Sequence, residues 1–214
     1  MTQEADDGAG QFSPLFPEDD IPAVLNAIKN ACVGLLKKSE MEIENRITHR
    51  LWQRVKREKP FRDGPLHINF KAAISDSDAQ TDTPEGEADL QVICFRGPDV
   101  YFAIEAKRLR FCYPSGRFES GSREYVEEGM MRFIAGQYAP RMQVGAMLGY
   151  VFDADIAAAR VDISKTIKKR RDMLRLNQGT SLRRSAVLPS HAVDETVHSP
   201  DKRALILYHV LVPV

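Results

Sequence analysis

Residues 88–95 and 100–107 are two short, mostly apolar segments that carry charge at their ends. The first begins Ala88-Asp89-Leu90-Gln91-Val92-Ile93. The second runs Val100-Tyr101-Phe102-Ala103-Ile104 and then turns polar at Glu105-Ala106-Lys107. Between them, Arg96-Gly97-Pro98-Asp99 has turn chemistry, so the two segments predict an antiparallel strand pair. The start of one strand then lies beside the end of the next, which makes Asp89 and Glu105 near neighbours. Side chains alternate along a strand, so Glu105 and Lys107 project to the same side. Charge inside a sheet is costly unless it is paired or metal-bound, and such placement points to a metal or catalytic site.

The flanking sequence predicts the rest of the architecture. Residues 1–19 are acidic, with Gly8, Gly10, Pro14 and Pro17, and read as a disordered tail. Asp20 and Pro22 predict a helix start, and this helix runs to about Lys38. Ser39 and Glu42 form an S-x-x-E capping box before a second helix, which Pro60 closes. In that helix Ile47, Leu51 and Val55 make one apolar face, and Glu44 shares it. Residues 66–74 alternate and read as a strand, followed by an acidic loop over 75–86.

Beyond residue 107, a basic irregular stretch leads to a helix over about 122–139. Gly129 and Gly136 lie seven apart on one side of it, which allows close packing on a sheet, and Pro140 stops it. A buried strand over 144–152 precedes a helix capped by Asp153 or Asp155 and running to about Leu176. Residues 177–202 read as a loop and 203–212 as a last strand. The three early strands join by short links and predict an antiparallel meander. The helix-containing crossover from 107 to 144 permits a parallel neighbour. The expected fold is α/β, a central mixed sheet flanked by helices, in a single domain over 20–214 with its core at 39–152 and a C-terminal helix and strand at 153–214.

The formal net charge of the 214 residues is zero, so global charge selects no partner. Local charge is segregated. Residues 160–184 hold nine bases against Asp162 and Asp172, a pattern that can present a basic surface to a polyanion. Cys32, Cys94 and Cys112 form no CxxC pair and no zinc spacing, which fits a reducing compartment. The acidic N-terminus is no signal peptide, and the longest apolar run, 204–214, is too short to span a bilayer. The expectation is a cytoplasmic protein without a membrane partner.

Two close carboxylates repel, and a divalent cation resolves the conflict. Mg2+ prefers hard oxygen ligands and keeps several waters, which leaves room for a phosphate. The candidate metal ligands are Asp89, Glu105, the carbonyl of Ala106, and Glu44 as the third carboxylate. Lys107 is placed to orient a water or to neutralise charge on a phosphorane. Water attack on a phosphodiester suits this set, so Asp89, Glu105, Lys107 and Glu44 are the candidate catalytic residues. Arg108, Arg110 and Arg117 follow the strand directly and, with Lys168, Lys169, Arg170 and Arg171, are candidate contacts to a nucleic-acid backbone. Glu105-Ala106-Lys107 is the only acid-x-Lys match in the chain.

These residues resemble the PD-(D/E)xK nuclease superfamily, the restriction-endonuclease-like fold. The likeness covers about 39–152. Glu105-Ala106-Lys107 matches the E-x-K, Asp89 matches the D, and Glu44 matches the acid often found on the first core helix. Ala88 stands where the family's proline would be. The stretches Tyr125–Phe133 and Tyr208–Leu211 look like those of small bacterial defence nucleases. The resemblance implies an endonuclease that cuts DNA with Mg2+, for which Mn2+ substitutes, in antiviral defence. A homodimer or a partner protein would supply target recognition.

Each residue also has a plainer reading. Asp89, Glu105 and Lys107 could be a salt-bridged strand edge, and Glu44 an acid favoured by the helix dipole. Glu40 and Glu42 compete with Glu44, and Glu87 could supplement the site. Lys168–Arg171 is by default a solvated face. His209 reads as a core histidine, His191 and His198 as loop residues, and Tyr125 and Arg132 face either sheet or cleft. The second functional reading is a non-cleaving subunit that binds nucleic acid or a partner protein. The third is a ribonuclease.

Overall fold

The computed structural model describes residues 15–74, 86–96, 100–138, 142–190, 192–200 and 203–214. Residues 1–14 of the expected tail, the acidic loop 75–85, turn residues 97–99, Pro140 and His191 lie outside the described residues.

A seven-stranded mixed sheet runs β1(His67–Ile74), β2(Gly86–Ile93), β3(Tyr101–Leu109), β6(Val144–Val151), β9(Leu205–Pro213), β8(Asp194–His198) and β7(Arg183–Arg184) in spatial order. β1, β2 and β3 form the expected antiparallel meander, and β6 adds parallel to β3. β9 continues parallel to β6, then β8 and β7 pair antiparallel. Every residue of β6 is buried, as expected of a central strand covered on both faces. Between β3 and β6, β4(Phe111–Cys112) and β5(Phe118–Glu119) make a small separate hairpin.

Helices α1(Asp20–Cys32) and α2(Glu44–Val55) cover one face. Ile47, Leu51 and Val55 of α2 are fully buried, which is the expected apolar stripe. The opposite face is covered by the π-helical turn Glu124–Met130, which continues into α4(Met131–Ile134), and by α5(Ile156–Lys169). The expected helix over 122–139 is therefore shorter and mostly π-helical. Its buried residues are Tyr125, Val126, Gly129, Met130, Phe133 and Ile134, two rows with a four-residue repeat. A π turn followed by an α turn keeps such a repeat on one side. A Cβ on Gly129 would stand 2.4 Å from the Met147 methyl carbon, so the close approach expected there is real. Gly136 lies past the helix end at φ 78°, where it turns the chain.

Several boundaries move. Residues 15–19 do not belong to a tail, because Phe16 is buried against Phe102 at a ring separation of 5.6 Å. α1 stops at Cys32 and Gly34 takes φ 66°. The Ser39 capping box does not form: Glu42 accepts the Lys38 N–H at 2.6 Å and pairs with Arg50, and α2 starts at Glu44. Pro60 opens the short α3(Lys59–Arg62) rather than closing α2. α5 is capped by Asp155, whose side chain accepts the Ala158 N–H at 2.9 Å, and it ends at Lys169, not Leu176.

The expected loop over 177–202 contains β7 and β8. β8 is inverted relative to an ordinary strand: its buried face is Asp194, Thr196 and His198. A continuous hydrogen-bonded chain satisfies the latter two. The Leu174 carbonyl can only accept, so His198 donates through Nδ1 at 2.8 Å. Thr196 then donates to His198 Nε2 at 2.7 Å and accepts from His209 Nε2 at 2.9 Å. Tyr125 closes the chain by donating to His209 Nδ1 at 2.9 Å. Burial pushes His198 down to about 4 and His209 down to about 3, which keeps both rings neutral as this pattern requires. His209 is the core histidine expected, whereas His198 is buried in a strand. The chain ties Tyr125 of the π-helical turn to β8 and β9.

Candidate active site

The β2–β3 ladder ends at Leu90↔Ile104, so the next pair would be Asp89 and Glu105. There the strands part. Asp89 Oδ2 accepts the backbone N–H of Ala106 at 2.8 Å, so a carboxylate replaces the ladder partner. N–H and C=O of one strand residue lie on the same edge, so the Ala106 carbonyl also faces β2. Asp89 Oδ1 accepts from Lys71 Nζ at 2.6 Å. Lys71 stands opposite Asp89 in β1, between the pairs Phe70↔Leu90 and Ala72↔Ala88. Its φ of 54° is left-handed, a conformation that costs a residue with a Cβ about 1–2 kcal/mol.

Glu105 is 1% exposed. Its Oε1 accepts from Lys107 Nζ at 2.5 Å and meets Arg132 Nη1 at 3.1 Å. Its Oε2 is buried without a hydrogen-bond partner. Burial and the neighbouring Asp89 carboxylate push Glu105 up to about 7, against the pull of Lys107 and Arg132. Arg132 also donates to the Tyr138 hydroxyl, which in turn donates to the Glu87 carbonyl. Lys71, Glu87, Arg132, Gln137 and Tyr138 line a cleft of about 330 Å³ beside the carboxylate pair. Asp89 and Glu105 lie behind this lining and are reached through Lys71 and Arg132, which pair with them. Larger concavities exist at the end of α1 (about 400 Å³) and beside α2 (about 560 Å³), but none of these four residues lines either one.

No protein-family model, curated protein or solved structure matches this chain. The chemistry of the site therefore rests on its own geometry.

Asp89, Glu105 and Lys107 are brought together as the sequence predicts. Glu44 is not brought to them. It pairs with Arg108 at 3.4 Å, and Arg108 projects to the face of β3 opposite Glu105, because side chains alternate. Among the described residues no three His, Cys, Asp or Glu side chains gather as a metal-holding group. Two carboxylates and a backbone carbonyl do fit a hard cation, and the unpartnered Glu105 Oε2 is an acceptor that such an ion would satisfy. Of the rivals, Glu40 pairs with Lys37 at 3.2 Å and Glu42 with Arg50, while Glu87 reaches Lys71 at 3.4 Å on the cleft.

The basic residues divide. Arg108 packs over Phe111. Arg110 is locked by Asp153 and Asp162, each at 2.8 Å, so it joins the end of β3 to α5. Arg117 stacks on Tyr113. Arg170 pairs with Glu127 at 2.6 Å. Lys168, Lys169 and Arg171 are exposed at the end of α5 and in the turn after it. Lys71 and Tyr138 were not expected in the site, and Arg132 proves to face the cleft. The meander itself, which sets Lys71 across from Asp89, was the available sign for Lys71, though His67 and Asn69 share its register and make a lysine there unremarkable. No local pattern marks the other two.

Proposed function

We propose that the chain is a divalent-metal-dependent nuclease of the PD-(D/E)xK kind that hydrolyses phosphodiester bonds in DNA. The observation that carries this reading is the parting of β2 and β3 at Asp89 and Glu105, with Lys107 on Glu105. The meander followed by a parallel crossover strand agrees with a restriction-endonuclease-like arrangement. Asp89, Glu105 and the Ala106 carbonyl would hold Mg2+ or Mn2+. When bound, such an ion makes water more acidic and stabilises charge on a phosphate.

The residues supply the rest. Asp89 is fixed by the Ala106 N–H, so its position does not depend on the ion. Glu105 must lose its proton to act as a ligand, and because burial and Asp89 strengthen its hold on that proton in the metal-free site, proton and metal compete for it. Lys107 holds its ammonium at Glu105 and can donate to the attacking water or the phosphate. The resemblance extends the proposal to defence against foreign DNA. Incubating the purified protein with plasmid and single-stranded DNA in Mg2+, Mn2+ or EDTA, beside Glu105→Ala and Lys107→Ala, tests the reading. Metal-dependent cutting lost in both variants supports it, and full activity in either one sinks it.

One observation favours a second reading, a non-cleaving subunit that binds nucleic acid or a partner. Lys71 already neutralises Asp89, much as a metal would. Stable binding with no cutting in any metal would select it.

A further inference from the structure

The nuclease reading gives no role to Lys71 or Arg132, yet these two cations cap the two carboxylates. Lys71 Nζ lies 2.6 Å from Asp89 Oδ1, and Arg132 Nη1 lies 3.1 Å from Glu105 Oε1. They come from different elements, the edge strand β1 and the helix of the crossover. Their side chains are 27% and 38% exposed, against 10% for Lys107, and both line the 330 Å³ cleft. Both can therefore swing without unpacking the core. The left-handed backbone of Lys71 marks local strain held at this point of the strand.

Charge counting gives the arrangement a consequence. With Glu105 ionised, Glu87, Asp89 and Glu105 carry three negative charges, and Lys71, Lys107 and Arg132 carry three positive ones. The cleft is neutral as it stands and has no attraction for a phosphodiester. A divalent cation on Asp89 and Glu105 leaves the same six groups with an excess of two positive charges. Lys71, Lys107 and Arg132 each then share a carboxylate with the ion, and Lys71 and Arg132 are the two of the three that line the cleft, Lys71 keeping Glu87 at 3.4 Å.

We propose, building on the nuclease reading, that Lys71 and Arg132 are exchangeable counter-ions. They neutralise Asp89 and Glu105 before a divalent ion binds, and they clamp the non-bridging oxygens of the substrate's phosphodiester after it has. Metal and DNA are then positively coupled, each raising the affinity of the other by the same factor. Lys71 competes with the metal when DNA is absent.

The test uses the full chain and two readouts besides cleavage. Mn2+ affinity is measured by titration calorimetry without DNA. Affinity for a fluorescein-labelled duplex is measured by anisotropy, in EDTA and in Ca2+. Wild type is expected to bind duplex at least tenfold tighter in Ca2+ than in EDTA. Lys71→Gln and Arg132→Gln are each expected to keep less than threefold of that gain, and Lys71→Arg to restore it. Lys71→Gln is expected to bind Mn2+ at least threefold tighter than wild type, a gain that a damaged fold does not produce. If wild type cuts DNA and binds Mn2+, but Lys71→Gln shows wild-type coupling and no tighter Mn2+ binding, this inference alone is overturned. If wild type neither binds Mn2+ nor cuts, the nuclease reading falls and this inference falls with it.

Discussion

Asp89 accepts the backbone N–H of Ala106 at 2.8 Å, so a carboxylate stands where the β2–β3 ladder would have continued. This bond sets the carboxylate beside Glu105 and leaves the burial cost of Glu105 to be met by Lys107 and Arg132.

Glu105→Gln separates stability from function. A carboxyl whose folded value is raised from 4.5 to about 7 stabilises the native state only at low pH, and that contribution is lost as pH rises from 4.5 through 7. At pH 8 the ionised, buried Glu105 therefore opposes folding, and the amide removes this opposition. Glu105→Gln is expected to melt no lower than wild type at pH 8 while cleavage drops at least a hundredfold. A large fall in melting temperature would show that the ion pair with Lys107 outweighs the burial of charge.

The buried histidines predict acid sensitivity. His198 and His209 have folded values lowered to about 4 and about 3, so the unfolded chain binds protons first as pH falls below 6.5. Each ring contributes stability that is complete above 6.5 and declines by up to about 1.4 kcal/mol per pH unit below it, until its folded value is reached. Urea unfolding at pH 7, 6 and 5 should show this decline. Replacing His198 with glutamine should lower stability at pH 7 but flatten the slope between pH 6.5 and 5.

Gly121 opens the stretch that leads into the π-helical turn, at φ 68°, and an added Cβ would stand 2.2 Å from the Arg108 carbonyl oxygen. Backbone cannot move aside as a side-chain tip can. Gly121→Ala is expected to cost about 2–4 kcal/mol in denaturant unfolding, from left-handed strain and overpacking together.

The basic residues should sort by partner. Exchanging Lys168, Lys169 and Arg171 together for glutamine is expected to leave the melting temperature unchanged and to weaken DNA binding. The slope of log affinity against log salt should fall in magnitude by about two to three, as loss of three phosphate contacts requires. Arg110→Ala should do the reverse. It removes the bridge to Asp153 and Asp162, costs about 1–3 kcal/mol of stability, and leaves the salt slope unchanged.

The sequence by itself determined the β1–β2–β3 meander and the meeting of Asp89, Glu105 and Lys107. These depend on short links and on strand alternation, which act between residues close along the chain. It also placed the apolar face of α2 and the approach of Gly129 to the sheet. Only the tertiary structure decided the rest. Glu44 shares its helix face with Ile47, but the packing of α2 sets it against Arg108, on the other side of β3 from Glu105. β8 escaped detection because its buried face is polar, and the groups that satisfy it come from other elements: Leu174 after α5, His209 of β9 and Tyr125 of the π-helical turn. Arg110 looked available for phosphate until the fold brought Asp153 and Asp162 to it. Lys71 and Arg132 reach the carboxylates from an edge strand and a crossover helix. Hydrogen bonds and ion pairs of this kind are set by which elements pack together, and local pattern carries no record of them.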